Sequence, residues 1–200
     1  MKKNKTDNEP LKLVFKFGFF GEKMTGKTSI IKRYISNEFK PLYSPSDSPV
    51  LMEKQINIGK LEISLKIWDM QGSSCLISKI TQYIDGLDGI FIVYDITNAE
   101  SFHKIQNWIK EIKKDESRFT IVIIGNKSDL INQRVISSQE AEEFAKAQSI
   151  HFVETSALIP KNIEGCFTYL INERIIRSGI NLNSKELQNG IETNKKCVIY

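Results

Sequence analysis

The 200-residue chain has little cysteine, histidine or tryptophan, and no long apolar run. Its three cysteines, Cys75, Cys166 and Cys197, are far apart and odd in number, which fits neither a disulfide framework nor a zinc site. The two histidines, His103 and His151, have no cysteine or histidine partner at ligand spacing, so both read as structural. No apolar stretch approaches the roughly 20 residues of a membrane-spanning helix. Met1 to Pro10 is polar and lysine-rich and lacks the apolar segment of a signal peptide, and Lys2 excludes myristoylation. These absences predict an intracellular chain. Charge of one sign is scarce too: 28 Lys and Arg against 24 Asp and Glu leave +4. With no basic stripe interleaved with aromatics, nucleic acid is not an expected partner.

A hydrophobic fraction of 40% and a charged fraction of 26% are those of an ordinary soluble protein, and the length suits one domain with a single core. The most informative stretch is Gly21 to Thr28, Gly-Glu-Lys-Met-Thr-Gly-Lys-Thr, which matches the phosphate-binding loop G-x-x-x-x-G-K-[ST]. Gly21 and Gly26 let the backbone curl so that N–H groups from Glu22, Lys23, Met24 and Thr25 approach phosphate oxygens. Lys27 supplies a point charge to the terminal phosphates, the Thr28 hydroxyl can ligate Mg²⁺, and the helix running on through Ser29 adds its positive end. The context agrees. Leu13 to Phe20 has buried-strand character, and Ser29 to Ser36 has helical apolar spacing.

Residues 1–11 read as a flexible leader. Residues 37–50 form a long loop, because Pro41, Pro45 and Pro49 argue against helix or central strand. Leu51 to Ile58 and Leu61 to Trp68 predict a hairpin turning at Gly59-Lys60, followed by a loop and a short helix to about Tyr83. Gly89 to Asp95 and Thr120 to Gly125 are continuous apolar runs, typical of strands covered on both faces. Ala99 to Lys114 predicts one helix with Phe102, Ile105, Ile109 and Ile112 as its core stripe and Trp108 beside it. Ser138 to Gln148 is a helix with an Ala/Phe face, capped by Ser137 or Ser138. Phe152 to Thr155 is a last strand, and Ile163 to Arg177 a last helix. This alternation predicts a doubly wound α/β sheet with ligands at the carboxyl ends of its strands.

Two further stretches sit at strand ends. Asn126-Lys127-Ser128-Asp129 places a carboxylate, Asp129, that can accept from the N1–H and exocyclic amine of guanine; adenine lacks that donor pair. Glu154-Thr155-Ser156-Ala157 can offer backbone N–H groups of Ser156 and Ala157 to the base carbonyl. In this order the motifs, together with Leu65-Lys66-Ile67-Trp68-Asp69, Val93-Tyr94-Asp95-Ile96-Thr97, Glu100-Ser101-Phe102 and Trp108-Ile109-Lys110-Glu111-Ile112, resemble a small GTPase of the Ras superfamily over roughly residues 12–178. The central part is most similar to the Rab branch. The resemblance implies a P-loop NTPase with a six-stranded, mostly parallel sheet and helices on both faces. It implies GTP and GDP as bound nucleotides with Mg²⁺. Asp69 would hold the metal through water, Gly72 would donate its N–H to the γ-phosphate, and Phe39, in Asn37-Glu38-Phe39, would cover the guanine.

The chain departs from the family pattern at both switches. Ser46 stands where a threonine ligates Mg²⁺ and senses the γ-phosphate; the hydroxyl is kept and the methyl lost. In place of Asp-Thr-Ala-Gly-Gln stands Asp69-Met70-Gln71-Gly72-Ser73. Ser73 replaces the glutamine that in Ras orients the attacking water, and it is too short to do the same. Gln71 lies two residues early. Lys23 and Met24 are bulky where the family mostly has small residues, and would crowd an arginine finger, worth about 10³–10⁵ in rate. Lys23 either directs charge toward the γ-phosphate or points to solvent.

The chain ends Lys195-Lys196-Cys197-Val198-Ile199-Tyr200, which resembles a prenylation box at Cys197, with Tyr200 outside the usual last residues. One prenyl chain beside two lysines would give reversible membrane binding, and residues 179–200, polar and read as a disordered tail, could span about 25 Å. The expected function is a guanine-nucleotide switch with slow GTP hydrolysis and a Rab-like role in membrane traffic or signalling. It would be cytoplasmic and reversibly attached to the cytoplasmic face of a membrane. Expected partners are an effector, an exchange factor and an activating protein. The alternative is a GTP-bound scaffold that does not hydrolyse.

Overall fold

Alternating aromatics in β1 (Leu11–Phe20) set the frame of the molecule. Phe15, Phe17 and Phe19 project to one face and Phe20 to the other, as the two-residue period of a strand requires. In β4 (Gly89–Asp95) and β5 (Thr120–Asn126) the same division holds: Phe91, Val93, Val122 and Ile124 join the first face, and Ile90, Ile92, Tyr94, Ile121 and Ile123 the second. A sheet apolar on both sides must be covered on both. In this computed structural model, which describes residues 9–41, 48–70, 72, 80–113 and 119–180, helices do so. α1 (Lys27–Ser36) and α6 (Ile163–Arg177) pack on the first face. The short α2 (Thr81–Ile84) and α3 (Ala99–His103) join α4 (Ile105–Ile112) and α5 (Ser138–Ala147) on the second.

With β2 (Val50–Ile58), β3 (Leu61–Asp69) and β6 (His151–Glu154), the strands form one six-stranded sheet in the order β2-β3-β1-β4-β5-β6. Only β2 runs antiparallel, paired with β3 through a turn at Gly59 (φ 56°). The other five strands are parallel. Their carboxyl ends, at Phe20, Asp69, Asp95, Asn126 and Glu154, therefore share one edge of the sheet, which is where doubly wound folds bind ligands. The fold class predicted from the sequence is the one observed. No helix among the described residues is long and apolar enough to cross a membrane.

One predicted element is corrected. The helix expected over 99–114 is two, broken at Lys104. The backbone there stays right-handed, but the N–H groups of Asn107 and Trp108 both converge on the Lys104 carbonyl, at 3.1 and 3.3 Å. This tightened turn interrupts the regular ladder while Phe102, Ile105, Trp108, Ile109 and Ile112 all remain buried. Smaller differences have local causes. β1 starts at Leu11 rather than Leu13 because the Leu11 N–H donates to Lys60 O at 2.9 Å. α1 starts at Lys27 rather than Ser29, directly after Gly26 in the left-handed region (φ 93°). Ser137 is the cap of α5, its hydroxyl accepting from the Glu140 N–H at 3.0 Å.

Candidate functional site

The turn from β1 into α1 is built on backbone that only certain residues adopt. Gly21 has φ 129°, and a Cβ there would meet Val93 O at 2.2 Å. Gly26, at φ 93°, would place a Cβ 2.2 Å from the Asn126 side chain. Both glycines thus have a steric as well as a conformational reason. Met24, at φ 63°, does not: it is a non-glycine residue in the left-handed region with its side chain 58% exposed. Inside the turn, the buried Lys27 donates from Nζ to Gly21 O (3.0 Å) and Glu22 O (2.8 Å). Burial pulls the ammonium pKa down to about 8, against the raising effect of Asp69 and Glu22. The buried Thr25 folds its hydroxyl back onto Glu22 O at 3.0 Å.

At the end of β3 the Thr28 hydroxyl donates to Asp69 Oδ2. Asp69 is 3% exposed, and its other oxygen is buried with no hydrogen-bond partner among the described residues. Burial raises the Asp69 carboxyl, opposed by the Thr28 hydrogen bond and by Lys27 and Lys32. An orphaned carboxylate oxygen beside a threonine hydroxyl and a lysine is a donor set that fits a small hard cation. No group of three or more His, Cys, Asp or Glu side chains gathers among the described residues, so Mg²⁺ here would draw its remaining oxygens from nucleotide and water. Gly72 lies directly on the turn: a Cβ would come within 2.5 Å of Lys23 N and 2.7 Å of Glu22 C and O.

The carboxyl ends of β5 and β6 complete the arrangement. Asn126 is 2% exposed and locks the turn from the side, its Nδ2 donating to Thr25 O at 2.9 Å while its Oδ1 accepts from the Thr155 hydroxyl at 3.2 Å. Lys127, at φ 66°, pairs through Nζ with Asp95 Oδ2 at 2.5 Å. The buried Ser156 hydroxyl donates to Asp129 Oδ1, and the N–H of Ile159 donates to that same hydroxyl oxygen at 3.1 Å. On the far wall Phe39 is half-buried, with the Arg33 guanidinium carbon 5.9 Å from its ring centroid.

These pieces enclose a cleft of ≈ 230 Å³. Gly26, Lys27, Thr28, Ser29, Phe39, Asn126, Lys127, Asp129 and Ala157 line it, and Met24 stands at the loop with them. Glu22, Lys23 and Gly72 line a neighbouring polar cleft instead. Gly21 and Thr25 hold backbone, and Ser156 holds Asp129, from behind. Ser46, Ser73, Gln71 and Cys197 lie outside the described residues. The glycine turn with its buried lysine, the Thr28 hydroxyl and the Asp129 carboxylate thus open on one space, with Asp69 behind Thr28. The model of the Ras family matches residues 16–176. The chain belongs to the Ras family of small GTPases. It is 39% identical over 183 residues to "Ras-related protein Rab-21" of Dictyostelium discoideum, covering 90% of this chain and 86% of that one. It is 33% identical over 167 residues to human "Ras-related protein Rab-17", covering 82% and 78%. It is 34% identical over 184 residues to "Ras-related protein Rab-4" of Dictyostelium discoideum, covering 90% and 89%.

Within this GTPase, several side chains shape the cleft through contacts that the sequence does not mark. Arg33, in the last turn of α1, donates to Ala157 O at 2.9 Å and Leu158 O at 3.3 Å, 124 and 125 residues away. It also holds Asn37 and sits over Phe39, so one guanidinium ties the base loop to the aromatic wall. Asp95 orients Lys127 while receiving the N–H and hydroxyl of Thr97 at 2.8 and 2.7 Å. Thr155 was visible only as a member of a tetrapeptide; its hydroxyl fixes which way the Asn126 amide points. Lys40, Pro41, Leu130 and Leu158 add apolar and cationic wall.

Proposed function

We propose that this Rab-like GTPase cycles between GTP and GDP with slow intrinsic hydrolysis and works on the cytoplasmic face of a membrane in vesicle traffic. The observation that carries the reading is the cleft lined together by Gly26 to Ser29 of the loop, by Phe39, and by Asn126, Lys127 and Asp129. In this reading Lys27 and the backbone of 21–26 hold the phosphates, and Asp129 selects guanine by accepting its paired donors. Ser156 keeps that carboxylate in place, and Ala157 offers its N–H to the base carbonyl. Thr28 would hold Mg²⁺ directly, with Ser46, and Asp69 through water. The ion would neutralise phosphate charge. Gly72 would donate its N–H to the γ-phosphate.

Slow turnover follows from Ser73, whose short side chain cannot position a water as glutamine does. Cys197 is the proposed prenylation site, where one prenyl chain beside Lys195 and Lys196 would give reversible attachment, and an effector and regulators are the proposed partners. Single-turnover hydrolysis of preloaded GTP, with Ser73→Gln beside wild type, tests the reading. A nearly inert wild type and a faster variant support it. An ordinary family rate in wild type would show that another group places the water. An inert variant alongside an inert wild type would favour a GTP-bound scaffold.

A further inference from the structure

The phosphate loop carries a carboxylate where an anion is to bind. Glu22 is its second residue, and the side chain is 16% exposed. Its Oε1 is buried with no hydrogen-bond partner among the described residues. A carboxylate held in low dielectric beside an anion site repels the anion unless a cation answers it. Lys27 feels the Glu22 charge, but its hydrogen bonds go to the Gly21 and Glu22 backbone carbonyls and not to the carboxylate. The answering cation is Lys104, whose Nζ lies 3.2 Å from Glu22 Oε2 and 2.8 Å from Glu100 Oε1.

Lys104 comes from the break between α3 and α4, 82 residues from Glu22. A pair with the exposed Glu100 alone would be an ordinary surface contact one helical turn apart. The approach to Glu22 instead sets the ammonium over the loop. Lys104, Glu22 and Glu100 line a polar cleft of ≈ 340 Å³ with Lys23 and Gly72. Gly72 in turn rests on the Glu22 and Lys23 backbone. The unpaired charge of Glu22 would therefore act at the Gly72 end of the loop, the end assigned above to the γ-phosphate.

We infer that Lys104 is the counter-charge that makes a carboxylate in the phosphate loop compatible with GTP, and that through Glu22 it sets the preference between GTP and GDP. It is a positioning residue, acting on the nucleotide only through Glu22. The inference rests on the nucleotide reading above. GTP carries more charge than GDP, and with Gly72 as the γ-phosphate donor its extra phosphate would lie on the Glu22 side, so loss of Lys104 would penalise GTP more.

The experiment compares Mg-GTP and Mg-GDP affinities by competition with a fluorescent nucleotide on the full chain. Wild type, Lys104→Met, Lys104→Arg, Glu22→Gln and the Glu22→Gln/Lys104→Met double variant are measured together. Lys104→Met is expected to weaken GTP roughly three- to tenfold more than GDP. Lys104→Arg should keep the wild-type ratio within about twofold, and in the Gln background Lys104→Met should move the ratio by less than about twofold. An unchanged ratio in Lys104→Met overturns the inference, including the case where both nucleotides weaken equally. An undiminished effect in the Gln background overturns it too, because Lys104 would then act without Glu22. A wild type that binds neither nucleotide overturns the reading beneath it as well, and is distinguishable from those results.

Discussion

Met24 should be less favourable than glycine at its position. Its φ of 63° lies where a Cβ crowds the following carbonyl, at a cost of about 1–2 kcal/mol for an L-residue. Nothing offsets this through packing, since the side chain is 58% exposed and joins neither core cluster. Replacing it by glycine removes that strain but adds unfolded-state freedom worth about 0.4–1 kcal/mol. The net expectation for Met24→Gly is a gain of about 0.5–1 kcal/mol, or roughly 1–4 °C in midpoint for a chain of this size. Met24→Ala keeps the φ and the strain, and should be neutral. Urea unfolding of the nucleotide-free protein, followed by circular dichroism at constant m-value, reads the difference. If Met24→Gly is no more stable than Met24→Ala, the strain argument is wrong. Asn37 and Asn162, at φ 56° and 57°, are controls, because asparagine tolerates this region and glycine there should gain less.

Asn126→Ala should destabilise by about 2–4 kcal/mol in urea melts and speed nucleotide release, because Thr25 O and the buried Thr155 hydroxyl both lose their partner. A loss under 1 kcal/mol would mean that water replaces the amide. For Glu154, burial alone would raise the carboxyl, but hydrogen bonds from Arg134 and Ser138 and the charges of Arg134 and Lys161 outweigh it, and the pKa is lowered. A depressed folded value means stability that is present above the unfolded value of 4.5 and lost as pH falls through the folded one. Arg134 grips both Glu154 oxygens, at 2.6 and 2.9 Å, so Arg134→Gln should cost about 1 kcal/mol at pH 7. That difference from wild type should shrink below pH 4.5; a difference independent of pH would refute the linkage.

The sheet was legible in the sequence because its signals are local. Continuous apolar runs at 89–95 and 120–125 are typical of doubly covered strands, and glycine and proline mark several of the turns. The break at Lys104 was not legible, since the apolar stripe passes through it without losing phase: Phe102, Ile105, Trp108 and Ile109 stay buried on both sides. What interrupts the helix is a local tightening of the hydrogen-bond ladder, to which hydrophobic periodicity is blind. That the Gly21 to Thr28 turn and the Asn126 to Asp129 segment stand at strand ends was readable for the opposite reason, each being a short stretch with a fixed pattern of residue types. Arg33, Asp95 and Lys104 were hidden because their partners are 124, 32 and 82 residues away, and one sequence carries no mark of such pairs.

Contacts local and distant hold the loop in shape before any anion would arrive. A tight turn whose carbonyls had no partners would collapse or fill with water. Here Lys27 occupies the Gly21 and Glu22 carbonyls, Asn126 occupies that of Thr25, and Gly72 closes against Glu22 and Lys23. An ammonium has three protons, and two of Lys27's go to carbonyls, so in the proposed function the third would go to a phosphate oxygen. Burial disfavours its charge, and a phosphate beside it would favour that charge again. Affinity then comes from a site whose conformational cost is met in folding rather than at binding. Weakening Asn126 or Lys104 should consequently shorten nucleotide residence even though neither contributes an N–H to the phosphate turn.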